Sequence, residues 1–370
     1  MLIKRFALLL AVIAALLFSG CSDKGGADTG LENSANSEKS EAFGNSENPG
    51  NSEASGNSGN SENMGASENS EASENPENPD NSQALGESVS FTDDMGRTVT
   101  VDSPKRVAAL LGSFADIWYL AGGEIIAAPD DVWEDFDLPL SEETVNLGKI
   151  NELSLEMLFS AEPDLVIASP NIRVDIEWLD TLENTNITVA YFDVSNFEDY
   201  LRMLKICTEI TGREDLYRKN GRDIKEQIDN VIEQSRQRVE EKGAPTVLSL
   251  RASSSSVRAK GSEGNVLGEM LASLGCVNIA DSESSLLENL SIEYIIKSDP
   301  DYIFFVQIGD NAQKAKEKIE AFIAENPAWN GLTAVKEGRV FYMDKALYNN
   351  KPNSRWGEAY EGLEKIFREN

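Results

Sequence analysis

Five cations stand out in an acidic chain: Arg173, Arg251, Arg258, Lys260 and Arg355. Each falls in a segment read as a loop after a buried strand, the place where open α/β sheets hold ligands. Guanidinium forks suit carboxylates, catecholates and other anionic oxygens. Phe114, Trp133, Tyr348 and Trp356 fall in or beside the same loops and could offer flat apolar contact. The cations gain weight from their surroundings. The chain carries −31; setting aside the −12 of residues 22–87 (14 acids, 2 bases) and the +2 of Lys4 and Arg5 leaves −21 on the remainder. A body that acidic argues against nucleic acid. Each arginine could equally be half of a surface ion pair.

Histidine is absent. That removes three-histidine zinc sites, serine–histidine hydrolase triads and histidine-ligated haem, and no G-x-S-x-G elbow is present. A metal would therefore arrive inside a chelate, and no resident cofactor or protein-bound metal is expected. Haem held by Tyr and cobalamin held by shape stay open. The loop Lys260-Gly261-Ser262-Glu263-Gly264-Asn265 could bind an anion through backbone N–H groups, but it lacks the Gly-Lys-Ser/Thr ending of a nucleotide-binding loop. Cys207 and Cys276 lie on apolar helical faces of different segments, which favours two buried thiols over a disulfide.

A repeated phrase organises the elements that must hold these loops. Leu153-Ser154-Leu155-Glu156 runs into Glu162-Pro163-Asp164-Leu165-Val166-Ile167, and Leu290-Ser291-Ile292-Glu293 runs into Asp299-Pro300-Asp301-Tyr302-Ile303-Phe304. The offset is 137 throughout, from 153 to 290 and from 164 to 301. Each copy reads as a capped short helix, a stop before proline and a buried strand. The period is the length of a lobe, too long for a solenoid. Strands are expected at 107–111, 125–128, 165–168 and 189–192, with helices between them at 115–121 and 176–182. In the second half strands are expected at 247–250, 303–306 and 340–342, with helices at 266–274, 292–297, 312–325 and 355–368. Alternation of strands and helices implies parallel sheets. Residues 89–101 read as an antiparallel hairpin about Asp93-Asp94-Met95-Gly96. Trp118 and Trp329 lie in helical stretches and read as core.

Between the halves no strand signal occurs. One helix is expected at 197–211 and a second at 214–241, with Leu216, Ile224, Ile228, Val231, Ile232 and Val239 in one narrow stripe. Twenty-eight residues would extend about 42 Å, which suits a strut laid along both lobes. The fold class is therefore α/β: two similar lobes with parallel-rich sheets, one long bridging helix, and a ligand cleft between the lobes. The expected domains are 88–196, a bridging segment 197–243, and 244–370.

The N-terminus is of another kind. Lys4 and Arg5 precede an apolar run over 6–18, too short to span permanently and flanked like a signal peptide. Phe18-Ser19-Gly20-Cys21 resembles the lipobox of bacterial lipoproteins, with Phe18 where Leu is usual. The resemblance implies that residues 1–21 form the signal segment and that Cys21 is lipidated, anchoring the chain to the outer face of the cell membrane. Residues 22–87 repeat Asn, Ser and Glu with Gly and Pro; they cannot bury a core and read as a disordered tether.

Thr92-Asp93-Asp94-Met95-Gly96-Arg97-Thr98-Val99-Thr100-Val101, followed by Pro104-Lys105-Arg106-Val107, resembles the opening of substrate-binding proteins for iron–siderophores, haem and cobalamin. The paired Glu-to-Pro-Asp phrases, the bridging helix, Asn326-Pro327-Ala328-Trp329 and Asn353-Ser354-Arg355-Trp356-Gly357 look like the same family. The likeness covers residues 89–370. It implies the receptor of an ABC importer: a monomer that captures a ferric-siderophore-type chelate and delivers it to a membrane permease and its ATPase. It also implies that Glu156 and Glu293, one per lobe, pair with arginines of that permease. Cobalamin or haem as cargo is the alternative within the same role. A surface enzyme or an adhesin is the distant one.

Overall fold

The computed structural model describes residues 88–309 and 311–370. Cys21, the signal segment and the tether lie outside the described residues. Among the described residues no helix is long and apolar enough to cross a membrane.

The first lobe opens with the expected hairpin, β1 (Val89–Thr92) and β2 (Thr98–Val101), paired from Val89↔Val101 to Thr92↔Thr98. Asp93 holds its turn, accepting from the N–H groups of Met95 (3.1 Å) and Arg97 (2.9 Å), while Gly96 takes a φ of +76°. Then come β3 (Val107–Ala109), α1 (Gly112–Leu120), β4 (Ala127–Ala128), α2 (Asp131–Glu134), β5 (Val145–Asn146), α3 (Leu155–Ser160), β6 (Leu165–Ala168), α4 (Arg173–Glu177), α5 (Leu179–Glu183) and β7 (Thr188–Tyr191). The sheet order is β5-β4-β3-β6-β7, all parallel. The single helix expected at 176–182 is two short ones, and β5 was not anticipated.

The connection is α6 (Phe197–Thr211), α7 (Glu214–Tyr217), a π-turn at Arg218–Arg222, and α8 (Asp223–Lys242). The π-turn interrupts the uniform helix expected here, and its cause is local. Tyr200 Oη donates to the Asn220 carbonyl (2.7 Å), and Gly221 packs so tightly on α6 that a Cβ there would stand 3.0 Å from Leu201. A side chain inserted into the helix ladder distorts it in this way. The rod is fastened at both ends. Asn220 Nδ2 donates to Leu120 O in the first lobe (2.8 Å); Ser235 Oγ donates to Leu274 O in the second (2.5 Å).

The second lobe contains β8 (Thr246–Ala252), β9 (Val257–Lys260), α9 (Val266–Ser273), β10 (Val277–Asn278), α10 (Ser284–Asn289), α11 (Ile292–Ser298), β11 (Tyr302–Gln307), α12 (Ala312–Glu325), α13 (Thr333–Lys336), β12 (Val340–Met343), α14 (Lys345–Tyr348) and α15 (Trp356–Glu369). Its parallel order is β10-β8-β11-β12, with β9 antiparallel on β8. The stretch read as a loop over 251–260 is thus mostly a hairpin. Ser253 makes its turn, its Oγ accepting from the N–H of Ser255 (3.2 Å) and Ser256 (3.1 Å).

The repeated phrase does the same work in each lobe. Ser154 and Ser291 cap α3 and α11, accepting from Met157 N (3.3 Å) and Tyr294 N (3.4 Å). Glu162 and Asp299 occupy matched positions and both take a left-handed φ, 48° and 42°. Asp164 accepts from the N–H groups of Lys105 (2.8 Å) and Arg106 (3.0 Å), just before β3. Asp301 accepts from Thr246 N (2.8 Å), the first residue of β8. Each aspartate pins the neighbouring central strand. Strand alternation then feeds two faces. Leu165 and Ile167, with Tyr302 and Phe304, join an apolar core that runs along the rod. Val166 and Ala168 face a separate cluster in the first lobe, Ile303 and Phe305 another in the second.

Candidate ligand-binding cleft

The cleft is built from the carboxyl ends of the two parallel sheets. On the first lobe, β3 is followed by α1, whose first residue Gly112 donates its N–H to both oxygens of Asp131 (3.1 Å each). A Cβ at 112 would stand 2.8 Å from that carboxylate, so any larger residue there would displace Asp131 from this contact. Burial pushes Asp131 up to about 6, against the Gly112 hydrogen bond that lowers it. After β6, Ser169 N donates to Asp175 Oδ2 (2.8 Å). Asp175 is fully buried, its Oδ1 has no partner, and burial pushes it up to about 7. After β7, Asp193 accepts from Asn171 Nδ2 (2.8 Å). This wall is acidic.

The second lobe carries a basic strand face. In the β8–β9 hairpin Arg251 stands directly across from Arg258, and Ser249 across from Lys260. Positions two apart share a face, so Arg251, Arg258 and Lys260 line one side of the hairpin. Like charges directly opposite destabilise a strand pair. Among the described residues none of the three has a carboxylate partner. Burial lowers the Lys260 ammonium, and Arg251 and Arg258 lower it further by repulsion.

The segment after β12 crosses the seam. Lys345 Nζ lies 2.8 Å from Asp135 Oδ2, and Asn350 Nδ2 donates to the same oxygen (3.2 Å). Asn353 Nδ2 donates to Ser113 O (2.9 Å) and Asp116 Oδ2 (2.8 Å). Burial raises Asp116 to about 6, with the Asn353 bond opposing. Lys351 Nζ sits 5.8 Å from the Phe114 ring centroid. Burial lowers its ammonium, Asp193 and Asp131 attract it, and Arg251 repels it.

The structure gathers some of the sequence-derived candidates and disperses others. Arg251, Arg258 and Lys260 come together. Arg173 is exposed and paired with Glu177 one helical turn on (2.6 Å), and Arg355 forks onto Glu358 (2.7 and 2.8 Å). Both are surface ion pairs in this conformation. Trp133 stays 38% exposed on α2. Phe114, Tyr348 and Trp356 are buried. Phe114 is the platform under Lys351, Tyr348 Oη donates to Ala359 O (3.1 Å), and Trp356 packs edge-on against Phe197. They belong to the apolar core and present no open face. Glu156 and Glu293 are both exposed, each at the second position of its short helix. Cys207 and Cys276 are free thiols, Cys207 buried and Cys276 partly so. Lys351, Asp131, Asp193 and Asp135 were not singled out in the sequence. Nothing local in the sequence separates Lys351 from Lys345.

Comparison with known proteins agrees with this architecture. A family model described as periplasmic binding protein matches residues 107–347. The Fe(3+)-citrate-binding protein YfmC of Bacillus subtilis is 26% identical over 289 residues, covering 74% of this chain and 85% of its own. The ferric-anguibactin-binding protein FatB of Vibrio anguillarum is 24% identical over 271 residues, covering 71% and 81%. The crystal structure of Staphylococcus aureus SirA with staphyloferrin B superposes with a TM-score of 0.59 at 18% identity, over 76% of this chain and 98% of that one. With the family established, the enzyme and adhesin alternatives fall away. The chain belongs to the periplasmic binding protein family, and it is a solute receptor that holds its cargo without altering it.

Proposed function

We propose that this receptor serves an ABC importer and captures an anionic ferric chelate whose outer oxygens are carboxylate or catecholate. The carrying observation is the β8–β9 hairpin face, where Arg251, Arg258 and Lys260 gather without a carboxylate partner among the described residues. Three gathered cations cost stability unless an anion joins them. Relatives named for ferric citrate and ferric anguibactin support the same cargo class. Glu156 and Glu293 are the permease contacts in this reading. They are exposed, equivalent in the repeat and one per lobe, which suits a two-fold partner whose arginines fix register. Cys21, outside the described residues, carries the lipid anchor.

Tryptophan quenching of the purified full chain tests the cargo. Ferric citrate, ferric staphyloferrin B and a ferric tris-catecholate are the expected ligands; haemin and cyanocobalamin are the controls. Saturable quenching by at least one ferric chelate supports the reading, and saturation by haemin or cyanocobalamin alone would refute it.

A further inference from the structure

Lys351 occupies a place that packing alone does not justify. It follows β12, so it belongs to the second lobe by chain, yet its Nζ lies over Phe114 of the first lobe, 5.8 Å from the ring centroid. Among the described residues it makes no hydrogen bond and no ion pair. A partly desolvated ammonium without a partner is costlier than an apolar side chain of the same length. Holding the seam shut does not require it. Lys345 on Asp135, and Asn353 on Ser113 and Asp116, already do that within the same short segment.

Its electrostatic neighbours describe its use. Arg251 repels it from the hairpin side, and Asp193 and Asp131 attract it from the first lobe without forming a bond. Lys351 therefore lies within electrostatic reach of Arg251 on the hairpin and of Asp193 and Asp131 on the first lobe, above the Phe114 ring. We infer that Lys351 is a ligand-contacting cation that decides specificity, binding one anionic oxygen of the chelate that the hairpin holds from the other side. This rests on the ferric-chelate reading above. An ammonium is a compact point charge with rotatable donors, suited to a single oxygen, whereas the two arginines can grip oxygen pairs. The site would then prefer chelates whose anionic groups diverge in two directions over those with charge on one edge.

The test uses the purified full chain, ferric citrate and ferric staphyloferrin B, with Lys351→Met and Lys351→Arg as variants. Met preserves length and packing over Phe114 without charge. Expected are a melting temperature for Lys351→Met equal to or above wild type, a tenfold or greater loss of affinity for the bound chelate, and recovery to within about threefold in Lys351→Arg. Chelate affinity within twofold of wild type in Lys351→Met would overturn this inference alone. A lowered melting temperature that accounts for the weakened binding would also overturn it, by making Lys351 a structural residue. If wild type binds neither chelate nor a ferric tris-catecholate, the receptor's assigned cargo fails and the inference with it.

Discussion

Lys345 Nζ and Asp135 Oδ2 lie 2.8 Å apart, and they come from opposite lobes. Lys345 begins the short helix after the last strand of the second sheet; Asp135 closes the short helix after the second strand of the first. Both are partly exposed, which limits what the pair contributes to stability. Its position gives it a second role, since opening the cleft must separate it. Asp135→Asn is expected to lower stability by about 0.5–1 kcal/mol. It should also raise the amide exchange rates of residues 344–355 without changing those of β6. Exchange measured by mass spectrometry checks both.

The repeated Pro-Asp aspartates should behave alike. Asp164→Ala and Asp301→Ala each remove the charged acceptor that pins a central strand. Each is expected to cost about 1–3 kcal/mol, with values within about 1 kcal/mol of each other. Urea unfolding of the two variants checks this. A negligible effect of one alone would mean that the repeat is not functionally equivalent in the two lobes.

Where the rod meets the second lobe, Arg238 and Glu364 form a buried pair at 3.2 Å, with Arg238 also over the Phe367 ring at 4.7 Å. Glu364→Ala leaves a buried guanidinium without its counter-charge. About 3–5 kcal/mol of destabilisation is expected, read as a lower urea midpoint. Replacing both partners together with apolar residues should restore much of it.

Asp116, Asp131 and Asp175 are held above the ordinary carboxylate range by burial, at about 6, 6 and 7. The native state therefore binds protons that the unfolded chain has already released. The contribution of these groups to stability is present below about pH 4 and is lost as pH rises toward 7. Asp175→Asn mimics the protonated form and keeps an acceptor for Ser169 N. It should raise the melting temperature at pH 8 relative to wild type, with little difference at pH 4. Thermal melts across pH 4–8 check the sign; a variant that melts lower at pH 8 contradicts it.

Much of this architecture was legible because its signals are long or repeated. The phrase at 153 and 290 marks two matched strands, and buried runs such as Leu165–Ala168 cannot be much else. Two-residue strands such as Val145–Asn146 and Val277–Asn278 carry no periodicity, so only neighbouring strands define them. The β9 hairpin was missed because the serine run at 253–256 reads as loop, while its pairing depends on register with β8. The aromatic residues Phe114, Tyr348 and Trp356 were expected at the ligand. Their burial is set by the rod and by the segment at 353–356, which packing decides and local pattern does not. Lys351 escaped notice for the same reason: its meaning comes from Phe114 and Arg251, distant in the chain.

In the proposed function an anion is held by the basic face of the β8–β9 hairpin, which has no carboxylate partner among the described residues. Isothermal titration of ferric chelate into wild type and into Arg251→Ala/Arg258→Ala/Lys260→Ala tests it most directly, at two salt concentrations. One site per chain is expected in wild type, weakened by salt, and at least a hundredfold weaker in the folded triple variant. Equal affinity and equal salt dependence in the two proteins would contradict it.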